Sequence, residues 1–198
     1  MNYQWFQSIN QFAGNHPFVD QLMMFSTEKA VFIYAVVLAM MWIFGKERDR
    51  FTVFLAAITG AFGLFINFVI GHIYFEPRPF VTHNVHLLLS HAANASFPSD
   101  HTTGAFALSI IIFLRQRKIG TGMIFLAFLT GISRVYVGHH YPLDIFGSIG
   151  VAIIVTILIY KADKFLKMFF TLILSIYNKI PFTSNREEKK EHYVIGEI

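Results

Sequence analysis

The chain has 198 residues, of which 55% are hydrophobic and 17% aromatic, with only 14% charged, 23 Phe and no Cys. A soluble domain carries about 25% charged residues, so this composition excludes an ordinary water-facing enzyme, a nucleic-acid-binding module and a disordered regulator. The lack of cysteine excludes disulfides, thiol catalysis and Cys–zinc sites, and the net charge of +4 fits the basic cytoplasmic loops of a polytopic membrane protein.

In chain order, residues 3–12 mix aromatics with Gln and Asn and read as an interfacial segment. The first basic residue is Lys29, so a cleaved signal peptide is not expected. A membrane-crossing helix takes roughly 20 mostly apolar residues, and five stretches approach that length. They are residues 17–44 (polar early, with Asp20 and Glu28, and strongly apolar from Ala30), 51–75, 99–114, 119–137 and 142–160. The third is short, and its N-terminus is expected slightly below the membrane surface. Residues 165–177, with Lys164, Lys167 and Lys179 around them, read as an interfacial amphipathic helix or a sixth span. The expected fold is therefore all-α: a polytopic membrane bundle of five or six transmembrane helices. It forms one membrane domain over residues 1–182, followed by a polar cytoplasmic tail, 183–198.

Charge predicts the sidedness. Thirteen of the 16 Lys and Arg fall in residues 45–50, 115–118, 161–167 and 179–198. With five spans these all lie on one face, which the positive-inside rule makes cytoplasmic. Eight of the nine histidines, at 16, 72, 83, 86, 91, 101, 139 and 140, fall at or near the opposite face. The site is accordingly expected at the outer membrane–water interface of the plasma membrane.

Three segments meet there: Tyr74-Phe75-Glu76-Pro77-Arg78-Pro79, Phe97-Pro98-Ser99-Asp100-His101, and the stretch from Ser133 to Asp144. An arginine at membrane depth is costly and marks a function; Arg78 and Arg134 offer two guanidinium forks suited to phosphate oxygens. The bland alternative for each is a structural salt bridge to a carboxylate such as Glu76 or Asp144. Ser99 fits a helix N-cap, or a hydroxyl donating to phosphate, and places His101 in the first turn of an anion-favouring helix start. With Pro142 opening a helix, Asp144 lies one turn from His140, whereas the matching partner of His139 is Leu143. A carboxylate on Nδ1 leaves Nε2 of His140 free as a nucleophile. This set suits phosphoryl transfer through a phosphohistidine, with Arg78, Arg134 and Ser99 on the phosphoryl oxygens and His101 as acid and then base. The arginines supply the positive charge, so neither metal nor cofactor is required.

Arg78-Pro79, then Pro98-Ser99-x-His101, then Ser133-Arg134 with His140 and Asp144 resemble the three-part signature of the type 2 phosphatidic acid phosphatase superfamily. The resemblance covers roughly residues 71–144 and implies a helical lipid phosphatase with His140 as nucleophile, Asp144 orienting it and His101 as acid. The string Phe75-Glu76-Pro77-Arg78-Pro79-Phe80, Asp100 between Ser99 and His101, and Val137-Gly138-His139-His140-Tyr141-Pro142 look like the bacitracin-resistance branch of undecaprenyl pyrophosphate phosphatases of Gram-positive bacteria. That branch implies a polyprenyl pyrophosphate lipid as substrate, hydrolysed on the outer face to recycle the cell-wall carrier, with membrane lipids around it and no nucleic acid. One departure stands out: the family's Lys seven residues before the arginine is Gly71 here, and His72 points about a third of a turn off the Arg78 face. Glu76, Asp100 and His139 are secondary candidates for the site. His83, His86 and His91 read as a polar surface loop without zinc spacing, and Leu87, Leu88 and Leu89 as one wall of a lipid entrance. Gly60, Gly63, Gly71, Gly147 and Gly150 read as sites of close helix approach. Two other readings are a phosphatase of phosphatidate or phosphatidylglycerol phosphate and a non-catalytic anion transporter.

Overall fold

The computed structural model describes residues 1–177. They form two compact units, Met1–Tyr160 and a second that begins at Lys161. The first carries α1 (Asn2–Asn10), α2 (Pro17–Phe44), α3 (Glu47–Ile73), a single turn α4 (Pro79–Thr82), α5 (Asp100–Arg115), α6 (Arg117–Tyr136) and α7 (Pro142–Lys161). The second carries α8 (Asp163–Tyr177). The tail 183–198 and Lys179 lie outside the described residues.

The polarity of the bundle is inverted relative to a soluble protein. Phe32, Phe65, Phe68, Phe125 and Phe146 point outward, with Phe125 74% exposed, while buried hydroxyls and amides sit among the apolar side chains of the interior. Buried Thr27 donates to Ser133 across α2 and α6 (2.9 Å), and Tyr34 donates to the Met123 carbonyl of α6 (2.9 Å) while accepting from Ser109 of α5 (3.3 Å). Such bonds between helices are the cohesive element where lipid removes any hydrophobic drive to associate. Four helices, α2, α3, α6 and α7, are long and apolar enough to cross a membrane. The chain is thus a membrane protein built around a helical bundle.

The stretch expected as the third of five spans forms α5, whose 16 residues reach only about 24 Å against a hydrocarbon core of about 30 Å. It packs against α3 and α6 and buries both faces, with Ala107, Ile111 and Ile112 fully enclosed. Small residues permit this depth: a Cβ on Gly63 would lie 3.1 Å from Thr103, and one on Gly60 3.2 Å from Leu108.

Antiparallel alternation gives the bundle two chemically distinct ends. At one, the basic loops lock together: Arg48 donates to the Arg115 carbonyl, Arg115 to Thr52, and Gln116 to Asp49. At the other, α3, α5, α6 and α7 deliver the three motif segments. Here α1 braces the end of the bundle. Its buried Asn10 donates to the His86 and Tyr136 carbonyls (both 2.8 Å) and accepts from the His86 amide (2.9 Å). Phe6 packs on Val135 and Tyr141.

In the second unit, α8 places Lys164 and Lys167 among exposed Phe165, Met168, Phe169 and Leu172, the pattern of an amphipathic helix.

Candidate active site

The His140 end of the site is fixed by backbone bonds before any side chain is considered. The amides of His139 and His140 both donate to the Arg134 carbonyl (3.0 and 3.2 Å), closing the end of α6. Gly138 takes φ +92°, a value that side-chain-bearing residues rarely adopt, which turns the chain sharply there. Pro142 then opens α7, and Asp144 comes back within reach of His140: Nδ1–H donates to Oδ2 at 3.3 Å. The same Oδ2 accepts from the Tyr141 amide (2.8 Å) and from the Ser96 hydroxyl (2.5 Å). The carboxylate is therefore anchored and selects the His140 tautomer that leaves the Nε2 lone pair free.

That lone pair faces Arg78. The guanidinium donates from Nη1 to His140 Nε2 (2.9 Å) and to the His139 carbonyl (3.0 Å), from Nε to Asn94 Oδ1 (2.9 Å), and from Nη2 to the Ala95 carbonyl (3.3 Å). None of these acceptors is a carboxylate, so Arg78 is not in the structural salt bridge that was the alternative. Arg134 is 2% exposed, and its Nε and Nη2 have no hydrogen-bond partner among the described residues. A buried cation with unspent donors is the signature of a site that receives an anion. Burial, then the charges of Arg134 and Arg78, hold the His140 imidazole well below the usual histidine range, so it is neutral at physiological pH. Burial brings Arg78 down only to about 10, so it stays charged.

Ser99 caps α5, its hydroxyl accepting from the Thr102 amide (3.5 Å) and hydroxyl (3.1 Å). Its own amide donates to Ser148 of α7 (2.8 Å). His101, at the second position of α5, is half-buried, makes no hydrogen bond among the described residues, and lies within the electrostatic reach of Arg134 and Arg78. Asp100 is exposed and accepts from Asn67 of α3 (2.9 Å), which also donates to Thr103. The Glu76 carbonyl accepts from the Ser96 amide, while burial raises the pKa of its half-buried carboxyl. His139 donates from Nε2 to the Leu89 carbonyl (2.8 Å), tying down the 83–99 segment.

That segment departs most from the sequence reading. Leu88 and Leu89 do not form a lipid-facing wall; they pack inward on Ala13, Tyr136 and Val137, because the His139 bond and the Leu88 amide bond to the Val137 carbonyl pull the segment onto the end of α6. His91 is not a remote surface residue: its ring lies 4.7 Å from that of His139 and 6.5 Å from that of His140. Asn94 and Ser96, absent from the sequence-derived set, hold Arg78 and Asp144. Gly71, where the family's lysine would stand, lies under the same segment, with a Cβ there 3.5 Å from that of Ala95. Neighbouring His72 is exposed and bonded to the Phe68 carbonyl. Among the described residues, no three His, Asp or Glu side chains are grouped to hold a metal ion.

The chain is similar to several known proteins. Over 180 residues it is 48% identical to the undecaprenyl-diphosphatase BcrC of Bacillus subtilis (strain 168), covering 91% of this chain and 93% of that protein. It is 29% identical over 181 residues to the bacitracin transport permease protein BcrC of Bacillus licheniformis, covering 91% and 89%. Its fold superposes on the crystal structure of Aquifex aeolicus LpxE with a TM-score of 0.64 at 27% identity, covering 81% of this chain and 94% of that one. The PAP2 superfamily profile matches residues 51–168, a span that contains all three motif segments. With its paired arginines, carboxylate-anchored histidine and helical bundle, the chain belongs to the PAP2 superfamily.

Proposed function

We propose that the protein hydrolyses undecaprenyl pyrophosphate to undecaprenyl phosphate and inorganic phosphate through a phosphohistidine. The observation that carries the chemistry is the buried, neutral His140, with Asp144 on Nδ1 and Arg78 at Nε2. The substrate follows from the 48% identical Bacillus subtilis relative, whose name describes an undecaprenyl-diphosphatase.

In the first step the phosphoryl oxygens draw the Arg78 guanidinium off Nε2, and that lone pair attacks the terminal phosphorus. The N–P bond forms as the bond from phosphorus to the bridging oxygen breaks. His101, protonated once the negative charge of the bound pyrophosphate offsets Arg78 and Arg134, gives its proton to the departing undecaprenyl phosphate. Arg78, the unspent donors of Arg134 and the Ser99 hydroxyl hold the equatorial oxygens, where charge gathers in the transition state. Asp144 stabilises the imidazolium character that His140 acquires. In the second step His101, now unprotonated, takes a proton from water, the resulting hydroxyl attacks phosphorus, and the N–P bond breaks to release phosphate and regenerate His140.

In the membrane, α5 serves as a fifth, recessed span beside the four longer helices. The site end faces outward, and the basic loops and the C-terminus face the cytoplasm of a plasma membrane. The enzyme there recycles the cell-wall lipid carrier and lowers the amount of bacitracin's target. A transport role, which the name of the Bacillus licheniformis relative would suggest, leaves the carboxylate-oriented imidazole without a use.

The test is phosphate release from undecaprenyl pyrophosphate by the purified protein in detergent, with and without EDTA, beside His140→Ala. The expected result is EDTA-resistant release that His140→Ala lowers by about 1,000-fold or more, as loss of a nucleophile does. Release that survives the substitution, or that needs a divalent metal, would overturn the mechanism.

A further inference from the structure

Running inward from the catalytic end is a cavity of about 350 Å³ between α2, α3, α5 and α6, within the roughly 300–1,000 Å³ range of small-molecule sites. His101 and Asp100 stand at one end. Below them the lining is almost entirely carbon: Ala30 and Tyr34 of α2, Leu64 of α3, Gly104 and Leu108 of α5, and Thr130 of α6. The two hydroxyls in that set are directed elsewhere, Tyr34 to the Met123 carbonyl and Thr130 to the Leu126 carbonyl, so they present their apolar faces.

On α5, positions 101, 104, 105 and 108 share one helical face, so the lining continues from the proton donor down the same side of the same helix over about 10 Å. The cavity exists because that face carries Gly104 and Ala105 opposite Ala30 and Ala35. A Cβ added at Gly104 would meet nothing within 4 Å.

We propose that this cavity is the subsite for the first isoprene units of the lipid chain, and that Gly104 keeps it open. The inference rests on the phosphatase reading and assigns a place to the substrate's leaving half. His101 protonates the oxygen of the departing polyprenyl phosphate, so the chain attached to that phosphate must leave the site on the His101 side. The cavity is the apolar volume that begins there. Its size accommodates a few isoprene units, and the remainder of the chain continues into the bilayer.

Gly104→Leu fills the space with a branched side chain and leaves the arginines and histidines in place. With full-length protein in detergent, kcat/KM is measured for undecaprenyl pyrophosphate and for methyl pyrophosphate, an ester with no isoprene unit. The substitution is expected to lower the long-chain value by about 10- to 100-fold, the range a few methylenes in an apolar pocket control, and to hold the short ester within about twofold. An unchanged long-chain value, or an equal fall for both esters, would overturn the proposal. Should Gly104→Leu not fold, Ala30→Leu narrows the cavity from the facing helix and must give the same selectivity. Wild-type protein that hydrolyses the short ester but not undecaprenyl pyrophosphate would instead refute the proposed function.

Discussion

Ser96 shows how much of the chemistry depends on a residue with no motif around it. It is fully buried, its amide is bonded to the Glu76 carbonyl, and its hydroxyl donates to the Asp144 oxygen that also faces His140. A hydrogen bond to a charged acceptor contributes about 1.5–3 kcal/mol, and here it holds the carboxylate in the orientation that sets the His140 tautomer. Ser96→Ala is expected to lower kcat by about 10- to 100-fold with KM nearly unchanged, because the phosphate-binding arginines keep their places. Steady-state kinetics with undecaprenyl pyrophosphate read this directly; a rise in KM at constant kcat would place Ser96 in substrate binding instead. The His140–Asp144 pairing is legible in the sequence because four residues across a helix start encode their own proximity. Ser96, Asn94 and His91 are not legible, because they sit in a 17-residue stretch without periodicity, 83–99, between α4 and α5. Tertiary bonds from Arg78, His139 and Asn10, among others, fold that stretch over the site.

At the level of elements, the helix bounds follow from composition. Runs of apolar residues ended by Gly45, by the basic loops and by Pro142 leave few choices, and α2 spans the full predicted stretch, Pro17–Phe44. Two features are hidden from such patterns. The length of α5 reflects burial on both faces, which a count of apolar residues does not register. The bracing role of α1 depends on one asparagine reaching two carbonyls far along the chain. Two glycines of α7 that look equivalent in sequence differ sharply in space. A Cβ on Gly147 would lie 2.3 Å from the Phe97 ring, whereas one on Gly150 would meet nothing within 4 Å. Phe97 precedes Pro98 and the Ser99 cap, so displacing its ring disturbs the start of α5. Gly147→Ala is expected to destabilise by about 1–3 kcal/mol, the cost of overpacking, and to reduce activity. Gly150→Ala should be neutral or slightly stabilising, as helix propensity favours Ala. Thermal midpoints of the two variants in detergent distinguish these outcomes, and equal midpoints would contradict the packing argument.

Across the whole molecule, the site gathers positive charge while keeping His139 and His140 neutral, and that choice couples stability to pH. His139 is pushed down to about 3, by burial first and then by Arg134, and His140 lies well below its ordinary value for the same reasons. In the unfolded chain both return to a value near 6.5. Below that pH the unfolded state binds protons that the folded state refuses, so stability is complete above about 6.5 and is lost as pH falls. Each such histidine contributes a slope of about 1.4 kcal/mol per pH unit until its folded value is reached. The thermal midpoint in detergent is therefore expected to stay level from pH 7.5 to about 6.5 and to drop steadily from there to pH 5. His139→Gln retains a side-chain N–H for the Leu89 carbonyl but cannot titrate, so it should remove roughly half of the slope these two histidines share. A wild-type midpoint that stays flat over this range would mean that the folded site accommodates protonated histidines beside Arg78 and Arg134. The neutral nucleophile on which the attack depends would then lose its physical basis.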